Sequence, residues 1–447
     1  MVHVIRTIDL RGQTLSAREI SAALPRPEVS VQDATTIVEP VLTDVRGRGA
    51  AALRDLAEKF DGVRPVRLRV PRDELAAALN SLDPALRDAL EESIARVRQV
   101  HRAQAPQDFT VELAPGAQVR QRWIPVRRVG LYVPGGLAVY PSSVVMNVVA
   151  AQAAGVPSLA VTSPPQANNG GLSHPTILAA CAILGVDEVY AVGGAQAIAM
   201  FAYGAAGETD LDGETLCEPV DVITGPGNVY VAAAKRIVSS TVGIDSEAGP
   251  TEIAVLADGS ANADFVASDL ISQAEHDPNA ASVLVTDDES LAAAVLAAVE
   301  RRAATTLNAE RVAQALAGPQ SAIVLVDSVD VGQRVVDAYG AEHLEIHTRD
   351  AAQRAEQITN AGAIFVGPYS PVSLGDYMAG SNHVLPTGGV SRYSSGLGVH
   401  SYMRAVQVIE YDQGALEAIG PKIETFAAAE RLPAHGEAIA ARLRPVP

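Results

Sequence analysis

A chain of 447 residues is too long for one ordinary hydrophobic core, so two to four domains are expected. Its 48% hydrophobic and 19% charged content fits a folded enzyme and excludes a disordered chain, and 4% aromatics means cores built of Ala, Val, Leu and Ile. A net charge of −18 would be repelled by nucleic acid and by anionic lipid, which removes non-specific binders of either.

Residues 1–25 are short of core-forming material and read as an arm. Helical signals follow to about residue 105, with Leu53, Leu56 and Phe60 at helical spacing and Asp83-Pro84 opening a long capped helix. From Val129 the pattern becomes strand, glycine, helix. The strand run 129–133 ends in Pro134-Gly135-Gly136, and a helix over 142–154 is closed by Gly155. A strand at 158–162 and a helix at 177–184 come next, and a strand at 188–192 leads into Gly193-Gly194-Ala195-Gln196. The last repeat, 220–223, leads into Gly225-Pro226-Gly227-Asn228 and a helix over 229–238. Such alternation predicts a parallel sheet covered by helices. The acidic, Gly/Thr-rich stretch 205–218 reads as a surface insertion.

A second alternating series runs from 253 to 366, with the early helices expected to complete its domain. Glycine, serine and proline are then dense to about Gly398, and 415–443 is helical again. The fold class expected is α/β: two Rossmann-like parallel-sheet domains, one inserted in the other, plus an N-terminal arm and a C-terminal helical segment. The divisions are 1–26 (arm), 27–128 with 247–380, 129–246, and 381–447.

Gln273 and His276 stand three apart at the end of an apolar-periodic segment, so on a helix they share a face and can meet one divalent cation. A capping or solvated pair is the commoner outcome at this spacing. Complementary groups occur at Glu342-His343, at Asp376 with Asn382-His383, and at Glu430 with His435. Glu342-His343 pairs two bases of different pKa, useful for successive proton removals, and was expected at the C-terminal edge of a sheet. The Gly-rich turns after strands suit a pyrophosphate, although the strict G-x-G-x-x-G fingerprint is absent and each turn by itself is more often only a turn. Cys181 and Cys217 cannot form a disulfide framework or a thiolate metal site. With no bilayer-length apolar run and no signal-peptide pattern, a cytoplasmic location and no membrane contact are expected.

These motifs resemble the histidinol dehydrogenase family over nearly the whole chain. The matching stretches are VGLYVPGG (129–136), GGAQAIA (193–199), GPGN (225–228), AGPTE (248–252) and SQAEH (272–276). AEHL (341–344), GDYMAGSNHVLPT (375–387) and ERLPAH (430–435) complete the set. The resemblance implies one zinc ion per subunit held by Gln273, His276, Asp376 and His435, and NAD contacted by Tyr132, Gln196 and Asn228. It implies Glu342 and His343 as the catalytic pair, with Thr251, Glu430 and the metal ligands lining the pocket for L-histidinol. It also implies a homodimer with shared active sites, where Glu430 and His435 act in trans, and a four-electron oxidation to L-histidine. Thr251 replaces the serine of many relatives, and the 205–218 stretch is longer than theirs. Alternatives are a relative oxidising another small alcohol such as sulfopropanediol, a zinc-dependent hydrolase, or a metal-binding module without turnover.

Overall fold

The computed structural model describes residues 5–24, 26–27, 31–135, 138–247 and 249–443. Gly136 and Ala248 of the motifs above, and parts of the 1–26 arm, lie outside them. The chain divides into two compact units, Met1–Gln104 with Arg127–Tyr402, and Ala105–Val126 with Met403–Pro447.

The first unit holds two parallel sheets. The five-stranded one runs, in spatial order, Gly243–Ile244, Val222–Thr224, Arg128–Tyr132, Ser158–Ser163, Val189–Ala191. The six-stranded one runs Arg6–Asp9, Ala322–Leu325, Ala281–Thr286, Glu252–Ala257, His343–His347, Ala363–Val366. Their inner strands are buried on both faces, which is why they read as continuous apolar runs (Val129, Leu131, Ile253, Val255 and Leu284 are all fully buried). Apart from the edge strand Arg6–Asp9, in each sheet the chain starts near the middle, builds outward one way, then returns to the other side of the strand it started from. That reversal falls between Arg128–Tyr132 and Val222–Thr224 in one sheet, and between Glu252–Ala257 and His343–His347 in the other. An order reversal opens a crevice where neighbouring connections diverge to opposite faces.

The helices Val31–Arg48 and Ala50–Asp61 pack on Gly194–Tyr203 and Val229–Val238, beside the five-stranded sheet rather than the later one. Val38, Leu42, Val45, Leu53 and Leu56 join one core with Tyr190, Met200 and Phe201. An apolar stripe reveals that a face must be covered, not which sheet covers it. Within the arm, Arg6–Asp9 adds an edge strand to the six-stranded sheet, and the helix Ala17–Ala23 rests on Val329–Tyr339. The 205–218 insertion is a small hairpin, Ala205–Ala206 with Thr215–Cys217, outside both large sheets.

The second unit is an antiparallel sheet, Met403–Tyr411, Ala117–Pro125 and Phe109–Ala114, with the helices Gln413–Ala429 and Pro433–Leu443 packed on each other. These strands were not anticipated. Their signal is the short alternation Phe109, Val111, Leu113 followed by a turn at Gly116 (φ 75°). The helix expected over 415–443 is two helices, broken at Arg431, a non-glycine residue with φ 58°.

Candidate active site

The expected cofactor residues gather at the carboxyl edge of the five-stranded sheet, at its order reversal. Tyr132 ends the central strand and is buried; its hydroxyl accepts from the Gly194 N–H (3.1 Å), the first residue of the helix that carries buried Gln196. Burial pushes the Tyr132 phenol up to about 12, so it stays neutral. On the neighbouring strand, Gly225 has φ 112°, and any Cβ there would collide with the Tyr132 backbone carbonyl. Both polar backbone groups of Gly225 are tied down. Its N–H donates to Asp245 Oδ2 (2.8 Å), and its carbonyl accepts from the buried Lys235 Nζ (2.5 Å), itself paired with Asp245 Oδ1 (2.6 Å). Asn228 caps the helix Val229–Val238: its Oδ1 accepts from the N–H groups of Tyr230 (3.1 Å) and Val231 (3.2 Å). Asn228 is exposed, and with both lone pairs committed to the cap, contact with a ligand falls to its Nδ2.

The metal and base candidates meet at the opposite kind of edge. Glu342-His343 follows the helix Val329–Tyr339 and begins the strand His343–His347, so the dyad lies at the N-terminal edge of the sheet, not the C-terminal edge expected. A helix returning between parallel strands ends where the next strand begins, which fixes that placement. Gln273 closes the helix Ala263–Ala274 at the same edge, and His276 lies just past it, its N–H still donating to the Gln273 carbonyl (3.3 Å). Asp376 comes from the short helix Val372–Tyr377. Gln273 Nε2 donates to Thr251 Oγ1 (2.5 Å), which donates to Glu342 Oε2 (2.5 Å); the Glu252 N–H donates to the same oxygen (3.0 Å).

Burial decides the protonation of the dyad. It pushes Glu342 up to about 8, despite the two hydrogen bonds that favour its charge, and pushes His343 down to about 4 despite Asp376 nearby. His343 Nδ1 faces the Glu252 carbonyl (3.3 Å), an acceptor, so Nδ1 carries the proton and Nε2 keeps its lone pair. Asp376 is pushed up by burial, but His383, 3.6 Å away, then His343 and His276 outweigh this and hold it below the ordinary carboxylate range. Three buried polar atoms here have no partner: Gln273 Oε1, His343 Nε2 and His383 Nε2. Buried polar atoms are seldom left unpaired, and an all N and O set of this kind suits a borderline divalent ion. His383 was named in the glycine-dense loop but assigned no role; the structure brings it to Asp376.

Tyr140, from the connection after the Tyr132 strand, lays its ring parallel to that of His276 (centroids 6.5 Å apart, 8° between planes), so the cofactor edge touches the metal edge. Glu430 and His435 belong to the second unit, both exposed, at the break between its two helices. Cys181 and Cys217 are fully buried, and burial pushes their thiols up to about 12 and about 11. Neither is an activated nucleophile.

Among the described residues, Asp269, Glu345 and His347 also approach within 4.8 Å, close enough for a metal set. The sequence reading did not single them out. His347 Nε2 faces Glu345 Oε2 (3.2 Å), and Glu345 Oε1 accepts from the Val372 N–H (2.9 Å), so both Glu345 oxygens are committed within the protein.

Residues 24–443 match the family model described as histidinol dehydrogenase. The chain is 61% identical to the histidinol dehydrogenase of Corynebacterium glutamicum, covering 99% of each chain. It is also 61% identical to that of Nocardia farcinica, covering 97% of each. Among solved structures, the histidinol dehydrogenase of Elizabethkingia anophelis superposes with a TM-score of 0.90 at 33% identity, covering 99% of this chain and 98% of that one.

Proposed function

Because the chain belongs to the histidinol dehydrogenase family, oxidoreductases of histidine biosynthesis, we propose that it oxidises L-histidinol to L-histidine through bound L-histidinal, using two NAD⁺ and one zinc ion per subunit. The observation that carries the zinc reading is Gln273 Oε1, a buried polar atom with no partner, at the edge where His276, His343 and His383 surround Asp376. Gln273, His276, Asp376 and the partner subunit's His435 would hold the metal. Bound zinc would supply a positive centre that fixes the substrate's imidazole and amino nitrogens and favours an anionic oxygen. Bound NAD⁺ would supply the hydride acceptor, held by Tyr132, Gln196 and Asn228.

The chain's own residues then move protons. His343 Nε2, neutral and uncommitted, takes the alcohol proton as the carbinol hydrogen departs as hydride. The Glu252 carbonyl keeps the imidazole in the tautomer this needs. Glu342, basic because burial raises it to about 8, takes a proton from water as the oxygen attacks the aldehyde carbon. His343 returns its first proton to the oxygen that becomes the hydrate's second hydroxyl, takes one again as the second hydride leaves, and the carboxylic acid so formed ionises to the carboxylate. Thr251 bridges Gln273 and Glu342, so a threonine hydroxyl serves where relatives have serine.

By the chemistry they carry, residues 247–380 hold the metal and base groups, and 129–246, on whose sheet the early helices pack, hold the NAD groups. Of residues 381–447, the part from Met403 onward, which carries Glu430 and His435, would then complete the site of a partner in a homodimer. Support for the dimer comes from the second unit, where Phe109, Val111 and Leu113 alternate along an exposed strand. Val111 faces Val119, which faces the exposed Ile409 across the sheet, an apolar row a second copy would cover. No helix among the described residues is long and apolar enough to cross a membrane.

The test is the purified protein with L-histidinol and NAD⁺. Two reduced nicotinamides per histidinol, abolished by a chelator and restored by zinc, are expected. Reduction with another small alcohol and none with histidinol would select the other family chemistry. For the shared site, mixing His276→Ala with His435→Ala protein should recover part of the activity each lacks; no recovery would argue against residues acting in trans.

A further inference from the structure

Asp269, Glu345 and His347 lie in the interior of the six-stranded layer, are nine-tenths or more buried, and serve no step above. Their positions repeat those of the site. Asp269 is one helical turn before Gln273 on the same helix, and Glu345 is one strand repeat after His343 on the same face. Glu345 Oε1 accepts from the N–H of Val372, one turn before Asp376 on its helix. Its Oε2 faces His347 Nε2 (3.2 Å), and a carboxyl oxygen of Asp269 lies within 4.8 Å of both groups. One carboxylate therefore joins three elements, each at a fixed short step from a residue of the site.

We propose that Glu345 is a positioning residue: it brackets the Gln273 helix, the His343 strand and the Asp376 helix, and so sets the spacing of the donor atoms those elements present. The inference rests on the zinc reading above. Partners outside the ligand shell that orient it typically change metal affinity by roughly tenfold to a hundredfold when removed. Glu345→Gln keeps an oxygen for the Val372 N–H and an amide for Asp269. Val372→Pro deletes the N–H donor without touching the buried carboxylates; proline suits the first position of a helix, and the preceding residue is already extended (ψ 157°).

The experiment measures zinc affinity by chelator competition, and NAD⁺ affinity beside it, on full-length wild type, Glu345→Ala, Glu345→Gln and Val372→Pro. Expected are zinc affinities weakened about tenfold or more in Glu345→Ala and Val372→Pro, near wild type in Glu345→Gln, and NAD⁺ affinity unchanged throughout. Should Glu345→Ala fail to fold, Val372→Pro decides. Wild-type zinc affinity in Val372→Pro, equal losses in Glu345→Gln and Glu345→Ala, or parallel loss of NAD⁺ binding would each overturn the bracket. A wild type that binds no zinc would instead overturn the metal reading itself.

Discussion

The two parallel sheets of the first unit share one topology and use it in opposite ways. The five-stranded sheet presents its carboxyl edge, and backbone groups there are already satisfied: Gly225 is held at both N–H and C=O, and the Gly194 N–H donates to the Tyr132 hydroxyl. The six-stranded sheet presents its N-terminal edge, and there side-chain atoms of Gln273, His343 and His383 are buried without partners. A bonded backbone offers shape at little cost. Unpartnered buried donors each cost on the order of 1–3 kcal/mol, recovered only when something binds them. A nucleotide should thus meet a site already formed, while a metal should repair one that is destabilised without it.

The strongest way to separate the halves is His343→Asn, which should lower kcat on the order of a hundredfold to ten-thousandfold while NAD⁺ affinity, read by fluorescence titration, stays put. Loss of both together would break the division. Next comes Lys235→Met, which strands the buried Asp245 carboxylate beneath Gly225. Denaturant unfolding should show a loss of about 3–5 kcal/mol, with weakened NAD⁺ binding and, in the fraction still folded, unaltered zinc affinity.

The pH dependence of metal-free protein sharpens the contrast further. The folded-state value of Glu342 is raised from 4.5 to about 8, so the stability this group contributes is fully present below pH 4.5 and is lost as the pH rises through about 8. Metal-free Glu342→Gln should therefore melt with wild type at low pH and above it, by the equivalent of a few kcal/mol at most, beyond pH 8. Coincident melting curves at every pH would mean that the metal edge stores no such cost. The smallest effect belongs to Cys181→Ser with Cys217→Ser, which should leave turnover within about twofold and cost on the order of 1 kcal/mol of stability. Selective loss of the second oxidation would move that chemistry to a thiol in the cofactor half.

Much of this was legible in the chain. Strand runs such as Val129–Leu131 and helices closed by Gly155 or Gly185 announce themselves, because burial on both faces and left-handed caps leave few residue choices. The antiparallel sheet did not, since its strands are largely exposed and interrupted by polar positions such as Thr110 and Glu112. Nor did the allocation of the early helices, which depends on contacts far apart in sequence. At the site, spacing offers Gln273 with His276 and adjacency offers Glu342-His343 only as candidates that the family resemblance selects. The dyad lies at the N-terminal edge of its sheet instead of the C-terminal edge expected. Nothing local marks Lys235 as the buried partner of Asp245 and of the Gly225 carbonyl. The Asp269 to Glu345 contact joins residues on two separate elements, and no local pattern could announce it.

The parallel rings of Tyr140 and His276 carry one more consequence. A nucleotide that settles the connection after Tyr132 would also settle the ring lying beside His276, a ligand in the proposed zinc set. Linkage is reciprocal, so whatever factor the nucleotide adds to metal retention, the metal must add to nucleotide affinity. Starving a cell of zinc would then loosen the enzyme's hold on its redox partner as well, and Tyr140→Ala would uncouple the two.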